Sequence, residues 1–127
     1  MVFKIDSFKV WERPTNADIE KLVCQGAVSV SMRINDCIKN YQSGIIYDGG
    51  NSTCGCSKFG GTNHAVSIVG YGTDHTNLVC QKYWLLKNSW GTDWGEEGFF
   101  RLCREDEDIT LGTCNVRSDP MIAIMTH

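Results

Sequence analysis

Two tryptophans four residues apart, set among glycines between two apolar runs, constrain this chain more than any other feature. The stretch Lys82 to Arg101 reads KYWLLKNSWGTDWGEEGFFR. Its apolar runs, Tyr83 to Leu86 and Phe99 to Leu102, read as two strands. The segment between them, opening on Asn88, is too long and too aromatic for a simple hairpin turn. Trp90 and Trp94, with Gly91, Gly95 and Gly98, are out of place in a loop that only connects. Loops that keep large aromatics and glycines hold sites.

The rest of the chain builds a frame for that hairpin. Residues 2–11 alternate with a period of two and read as a strand. Thr15 followed by Asp18 has the form of a capping box, with Asn16 a second capping candidate. Ile19, Leu22 and Val23 supply one helical face and Gly26 a stop, which predicts a short helix over 16–25. Residues 27–34 alternate again, with Ser29, Ser31 and Arg33 on the polar side. One helical turn is expected at 36–42 and a short strand at 44–47. Residues 48–62 hold five glycines and read as loop. A β-rich run, 64–71, precedes a polar loop at 72–81 and the hairpin. The acidic run 105–108 reads as a solvated turn, and 121–125 as a closing strand. The expected architecture is a single domain over 1–127, α+β and mainly antiparallel β, with one or two short helices and a sheet that could close into a barrel.

Composition narrows the function. The chain has 127 residues, 42% of them apolar, and a net charge of −3 with Lys and Arg scattered, which argues against a nucleic-acid partner. No apolar run is long enough to cross a membrane, and the first residues show no signal-peptide core. Seven cysteines point to disulfides and an oxidising compartment. The odd count leaves a free thiol or a bridge to another chain. Asn51-Ser52-Thr53 is a glycosylation sequon.

Two segments, NHAVSIVGYG at 63–72 and KNSWGTDWGEEGFFRL at 87–102, together resemble the histidine and asparagine signatures of the papain-like cysteine peptidases, cathepsins included. FKVWERPTNADIEKLVCQGAVSVSMRI is similar to the strand, helix and strand that open the right-hand domain of that family. NYQSGIIYDG resembles the segment before its histidine loop, and CNVRSDPMIAIM its closing segment. The resemblance implies the barrel-like right-hand domain of the papain fold. The family's nucleophile lies in a C-G-[SA]-C-[WY] motif far upstream of its histidine. No such motif occurs here; Cys54-Gly55-Cys56-Ser57 lacks the aromatic and lies too near His64. The expected reading is therefore the C-terminal half of a cysteine endopeptidase, inactive without a cysteine-bearing left-hand domain.

The resemblance also assigns roles. His64 would take the proton of a cysteine thiol, and Asn88 would orient His64 as the third member of a Cys-His-Asn triad. Trp90 would shield their contact, and Trp94 would line the leaving-group side of the cleft. Ser31, Asn63 and Ala65 match positions shaping the pocket for the second substrate residue before the scissile bond. Asp119 falls at its floor, where a carboxylate would favour a basic residue. Cys54 or Cys56 would bridge to Cys114. Cys80 and Cys103 flank the hairpin at positions that can face each other. No cofactor and no metal are implied: a zinc site from Cys54, Cys56, His64 and Cys114 is the alternative, but the family match already accounts for His64 and Cys114. Expected partners are a peptide or protein substrate and the left-hand domain, or self-association through an exposed inter-domain face. The expected location is secreted or a lysosome- or vacuole-like compartment. Two other readings are a non-catalytic binding or inhibitory module on the same domain, and a peptidase using Cys54 or Cys56 as a substitute nucleophile.

Overall fold

A computed structural model describes residues 7–11, 14–47, 56, 62–104, 113–117 and 121–125. Helix α1, Asn16–Val23, begins at the expected capping box: Asp18 N–H donates to Thr15 Oγ1 (3.2 Å), and Thr15 N–H donates to Asp18 Oδ2 (3.0 Å). It ends two residues before the predicted stop. The amides of Gln25 and Gly26 bond back to Leu22 and Val23 in a tightened last turn. Ile19 and Leu22 form its buried face.

Among the described residues seven strands make one sheet: β1 Ser7–Trp11, β2 Val28–Met32, β3 Ile45–Ile46, β4 His64–Thr73, β5 Lys82–Lys87, β6 Phe99–Cys103 and β7 Met121–Met125. Their spatial order is β1-β7-β2-β4-β5-β6-β3. The C-terminal strand is thus inserted between β1 and β2, where Ala123 pairs with Val28 and Lys9. All pairings are antiparallel except β3 with β6, which run parallel through Ile45–Arg101 and Ile46–Leu102. The sheet is open, unlike the closed barrel that the strand count allows. Its edge strands are β1 and β3, and β3 offers only two residues, too short a ladder to seal the gap. Ile19 and Leu22 of α1, and Ile38 of a 3₁₀ turn at Asp36–Asn40, join the core instead.

Alternation sorts the strands as expected. Val28, Val30 and Met32 of β2 are buried while Ser29 and Ser31 face outward. Across the ladder, Val66 and Ile68 of β4, Trp84 and Leu86 of β5, and Phe100 and Leu102 of β6 share the buried face. A bulge between Ile68 and Gly70 resets the register, leaving Val69 without a partner on β5 and setting Tyr71 opposite Trp84. The Arg104 guanidinium lies 4.9 Å from the Tyr71 ring centre and 5.3 Å from that of Trp84, and pairs with Glu20 of α1. That pair ties helix to sheet. The most exposed large apolar residues, Leu78 and Val79, sit in the loop between β4 and β5, at the end of the ladder away from His64 and Asn88.

Disulfides brace the frame. Cys80–Cys103 joins the base of the β4–β5 loop to β6, with Cα atoms 5.9 Å apart. Cys56–Cys114 has Cα atoms 4.9 Å apart, so of the two alternatives for Cys114 the structure has Cys56. Cys37 is also disulfide-bonded, and Cys24 is the free thiol among the described residues. Such pairing suits an oxidising compartment. No helix among the described residues is long and apolar enough to cross a membrane. The sequon at Asn51, Cys54, the acidic run 105–108 and Asp119 lie outside the described residues.

Leu86 is 0% exposed between β4 and β6, so Leu86→Ala leaves a cavity at the centre of the sheet. It should lower stability by about 2–5 kcal/mol in denaturant titration; a loss under about 1 kcal/mol would mean the core is not packed as described.

Candidate active site

His64 is the first residue of β4 and pairs with Met32 on β2. Asn88 follows the last residue of β5. Because β4 and β5 are antiparallel neighbours, the start of one and the end of the other meet at the same edge. Both side chains lie on the buried face: His64 has the parity of Val66 and Ile68, and Asn88 that of Trp84 and Leu86. His64 Nε2 lies 2.9 Å from Asn88 Oδ1. An amide oxygen only accepts, so in the neutral ring the proton is on Nε2 and the Nδ1 lone pair is free.

Asn88 is 4% exposed and is held from three directions. Its backbone N–H donates to Gly98 O at 3.1 Å, closing the base of the loop. Its Oδ1 also accepts from the Ser89 backbone N–H at 2.8 Å. Its Nδ2 is buried and has no hydrogen-bond partner among the described residues. The loop returns through Gly98, whose N–H donates to Trp94 O at 2.7 Å with φ of 91°. Gly95 has φ of 61°, and a Cβ there would lie 2.7 Å from Phe99 O. Glycine is required at both turns.

The two tryptophans stack in sequence behind the histidine. The Trp90 ring centre is 5.1 Å from that of His64, and Trp90 is 39% exposed, so it covers one side of the imidazole from water. Trp94 meets Trp90 edge-on at 5.2 Å and Phe100 at 5.5 Å. Its indole N–H donates to Ile38 O at 3.0 Å. The contacts of Trp94 are thus with Trp90, Tyr41, Phe100 and Ile38; it backs Trp90 and carries the stack into the core.

A residue that the sequence did not single out anchors this support. Tyr41 stacks on Trp94 at 5.3 Å and donates from its hydroxyl to Gly44 O at 2.6 Å; Glu96 Oε1 lies 3.2 Å from the same hydroxyl. Arg101 grips Glu96 through Nε and a terminal nitrogen at 2.9 and 3.0 Å and stands 3.6 Å from Asp74. Burial pushes the Tyr41 phenol well above its ordinary value. Hydrogen bonds from Thr76 hold the Asp74 carboxyl below its ordinary value.

The pocket candidates divide. Ser31 and Ala65 are register partners on the outward face. The Asn63 amide accepts from Ile34 N–H at 2.9 Å and donates to Ile34 O at 3.0 Å, extending the β2–β4 pairing by one step. The outward face around Ala65 holds an open cavity of about 300 Å³, walled by Ser29, Ser67, Lys87, Asn88 and Ser89 among others. No group of three or more metal-ligating side chains occurs among the described residues. The disulfide takes Cys56 and Cys114 out of any zinc site and takes Cys56 out of use as a nucleophile.

The family described as papain family cysteine protease matches residues 1–124. Procathepsin L of Felis catus is 35% identical over 115 residues, covering 88% of this chain and 32% of the relative. A viral cathepsin of Epiphyas postvittana nucleopolyhedrovirus is 46% identical over 94 residues, covering 74% of this chain and 24% of the relative. The bromelain protease of Ananas comosus, solved with the E64 inhibitor, superposes with a TM-score of 0.75 at 27% identity, over 97% of this chain and 51% of that one. The chain therefore spans well under two-thirds of the length of these proteins.

The buried Tyr41 phenol makes a pH prediction. Folding raises its pKa, so its contribution to stability is complete below about pH 10 and is lost as pH climbs toward the folded-state value. Alkaline denaturation should show stability falling above about pH 10 in the unaltered chain and a flatter profile in Tyr41→Phe. Identical slopes would contradict the network.

Proposed function

The chain belongs to the papain family of cysteine proteases, and from that premise we propose that it supplies the histidine and asparagine of a Cys-His-Asn active site. It corresponds to the C-terminal half of an endopeptidase. The single observation that carries this is the 2.9 Å contact between His64 Nε2 and Asn88 Oδ1, under the Trp90 ring, at one end of the apolar buried face of β4 and β5. With Nε2–H engaged by Asn88, Nδ1 is the nitrogen available to a nucleophile. A cysteine brought against it by a second half gives its proton to Nδ1, becoming a thiolate paired with imidazolium. The thiolate attacks the peptide carbonyl, and the imidazolium protonates the leaving amine. Water, activated by the same nitrogen, then releases the acyl group.

The second half docks at the edge of the sheet where β4 begins and β5 ends, beside the cavity. Its small side chains, Ser29, Ala65, Ser67 and Ser89, let another backbone approach closely, and Lys87 adds a positive charge. Ser31 and Ala65 form a small wall for the second substrate residue before the scissile bond. The Asn63 amide, held on Ile34, contributes shape rather than a free hydrogen bond. Asp119 is the residue through which a basic side chain would be preferred there. A secreted or lysosome-like location follows from the disulfides and from this family role.

A non-catalytic binding module is the second reading, because the same cavity can seat a partner without any chemistry. Mixing separates the two. Combined with a cysteine-bearing half from a papain-family relative, the chain should yield peptide hydrolysis and labelling by a thiol-directed peptide inhibitor. His64→Ala should lower hydrolysis on the order of 10³-fold without preventing association. Association with no hydrolysis, or equal activity in His64→Ala, would overturn the catalytic reading. Light scattering of the chain alone reports whether it pairs with itself instead.

A further inference from the structure

We propose that the main chain of Ser89 is a positioning group: its N–H holds the Asn88 amide in one of two orientations and thereby sets which nitrogen of His64 carries the proton. The oxygen and nitrogen ends of an amide have nearly the same shape, so packing alone does not choose between them. Three neighbours could. The first is His64 Nε2, which donates in one tautomer and accepts in the other, so it adapts to whichever end it meets. The second is whatever receives Nδ2, and among the described residues that buried nitrogen has no partner. The third is the Ser89 N–H, 2.8 Å from Oδ1, which can only donate.

Ser89 alone breaks the symmetry. With the amide turned over, two N–H groups would face each other at Ser89, and His64 Nε2 would meet a donor. The ring proton would then move to Nδ1, leaving the wrong nitrogen protonated to accept from a thiol. The lock is local, since Ser89 is the residue next to Asn88. The exposed Ser89 side chain has no part in it.

The significance of the lock rests on reading His64 as the proton carrier, but its test does not. In the 127-residue chain alone, histidine nitrogen NMR at alkaline pH, where imidazoles are neutral, reads the His64 tautomer by difference from His64→Gln. The unaltered chain and Ser89→Ala should both show the Nε2–H form. Ser89→Pro, which has no N–H, should raise the Nδ1–H population by roughly tenfold. Asn88→Asp in the Ser89→Pro background should restore the Nε2–H form, because both branches then end in oxygen. A tautomer unchanged by Ser89→Pro would overturn the proposal. So would a Ser89 amide that exchanges with solvent in the unaltered chain as fast as in Asn88→Ala, a comparison that stands even if the proline variant does not fold. None of these readouts involves peptide hydrolysis, so the lock can fail while the peptidase reading survives, and the reverse.

Discussion

One hydrogen bond, from His64 to Asn88, joins residues 24 apart in the chain, and much of the fold works to keep it. The bond itself is worth only about 0.5–1.5 kcal/mol, far less than the entropy of ordering the two side chains and their backbones. It persists because β4 and β5 are already paired along their length. The loop after β5 is also tied back by Asn88 N–H to Gly98 O and by Gly98 N–H to Trp94 O. Trp90 then covers the imidazole, and Trp94, itself packed on Tyr41 and Phe100, backs Trp90. Precision at the site comes from the core outward.

The parts of this arrangement that depend on local pattern were legible in the sequence. Alternation in 28–32 and 64–68, the capping box at Thr15 and Asp18, and the aromatic loop after Asn88 each follow from near neighbours. The parts that depend on distant pairing were not. Nothing in Met121–Met125 says that it inserts between β1 and β2. Nothing in Ile45–Ile46 says that it runs parallel to β6, since a two-residue strand carries no direction. The bulge at Val69 was hidden because Gly70 alone does not distinguish a bulge from a close approach. Within the site, His64 and Asn88 were found by resemblance. Asn63 reads as a pocket residue by position, yet its side chain is held on Ile34, which only the three-dimensional register reveals. Tyr41 and the Ser89 N–H left no signal at all: one acts by a phenol in a 3₁₀ segment's exit, the other through a backbone group every residue has.

The two faces of the sheet divide the labour. The buried face carries the apolar packing and ends in the polar pair. The outward face keeps small hydroxyl side chains and Lys87 beside the open cavity. The orientation of His64 is set within the chain, by Asn88 and the loop that carries it.

What His64 would do to a cysteine thiol is measured directly by thiol ionisation. The thiolate absorbance of the cysteine-bearing half of a papain-family relative can be followed against pH, alone and with this chain added. If His64 is the proton acceptor, the thiol in the complex should ionise at a distinctly lower pH, and His64→Gln should return it to the value of the free half. A complex that forms while the thiol titrates unchanged would contradict the account.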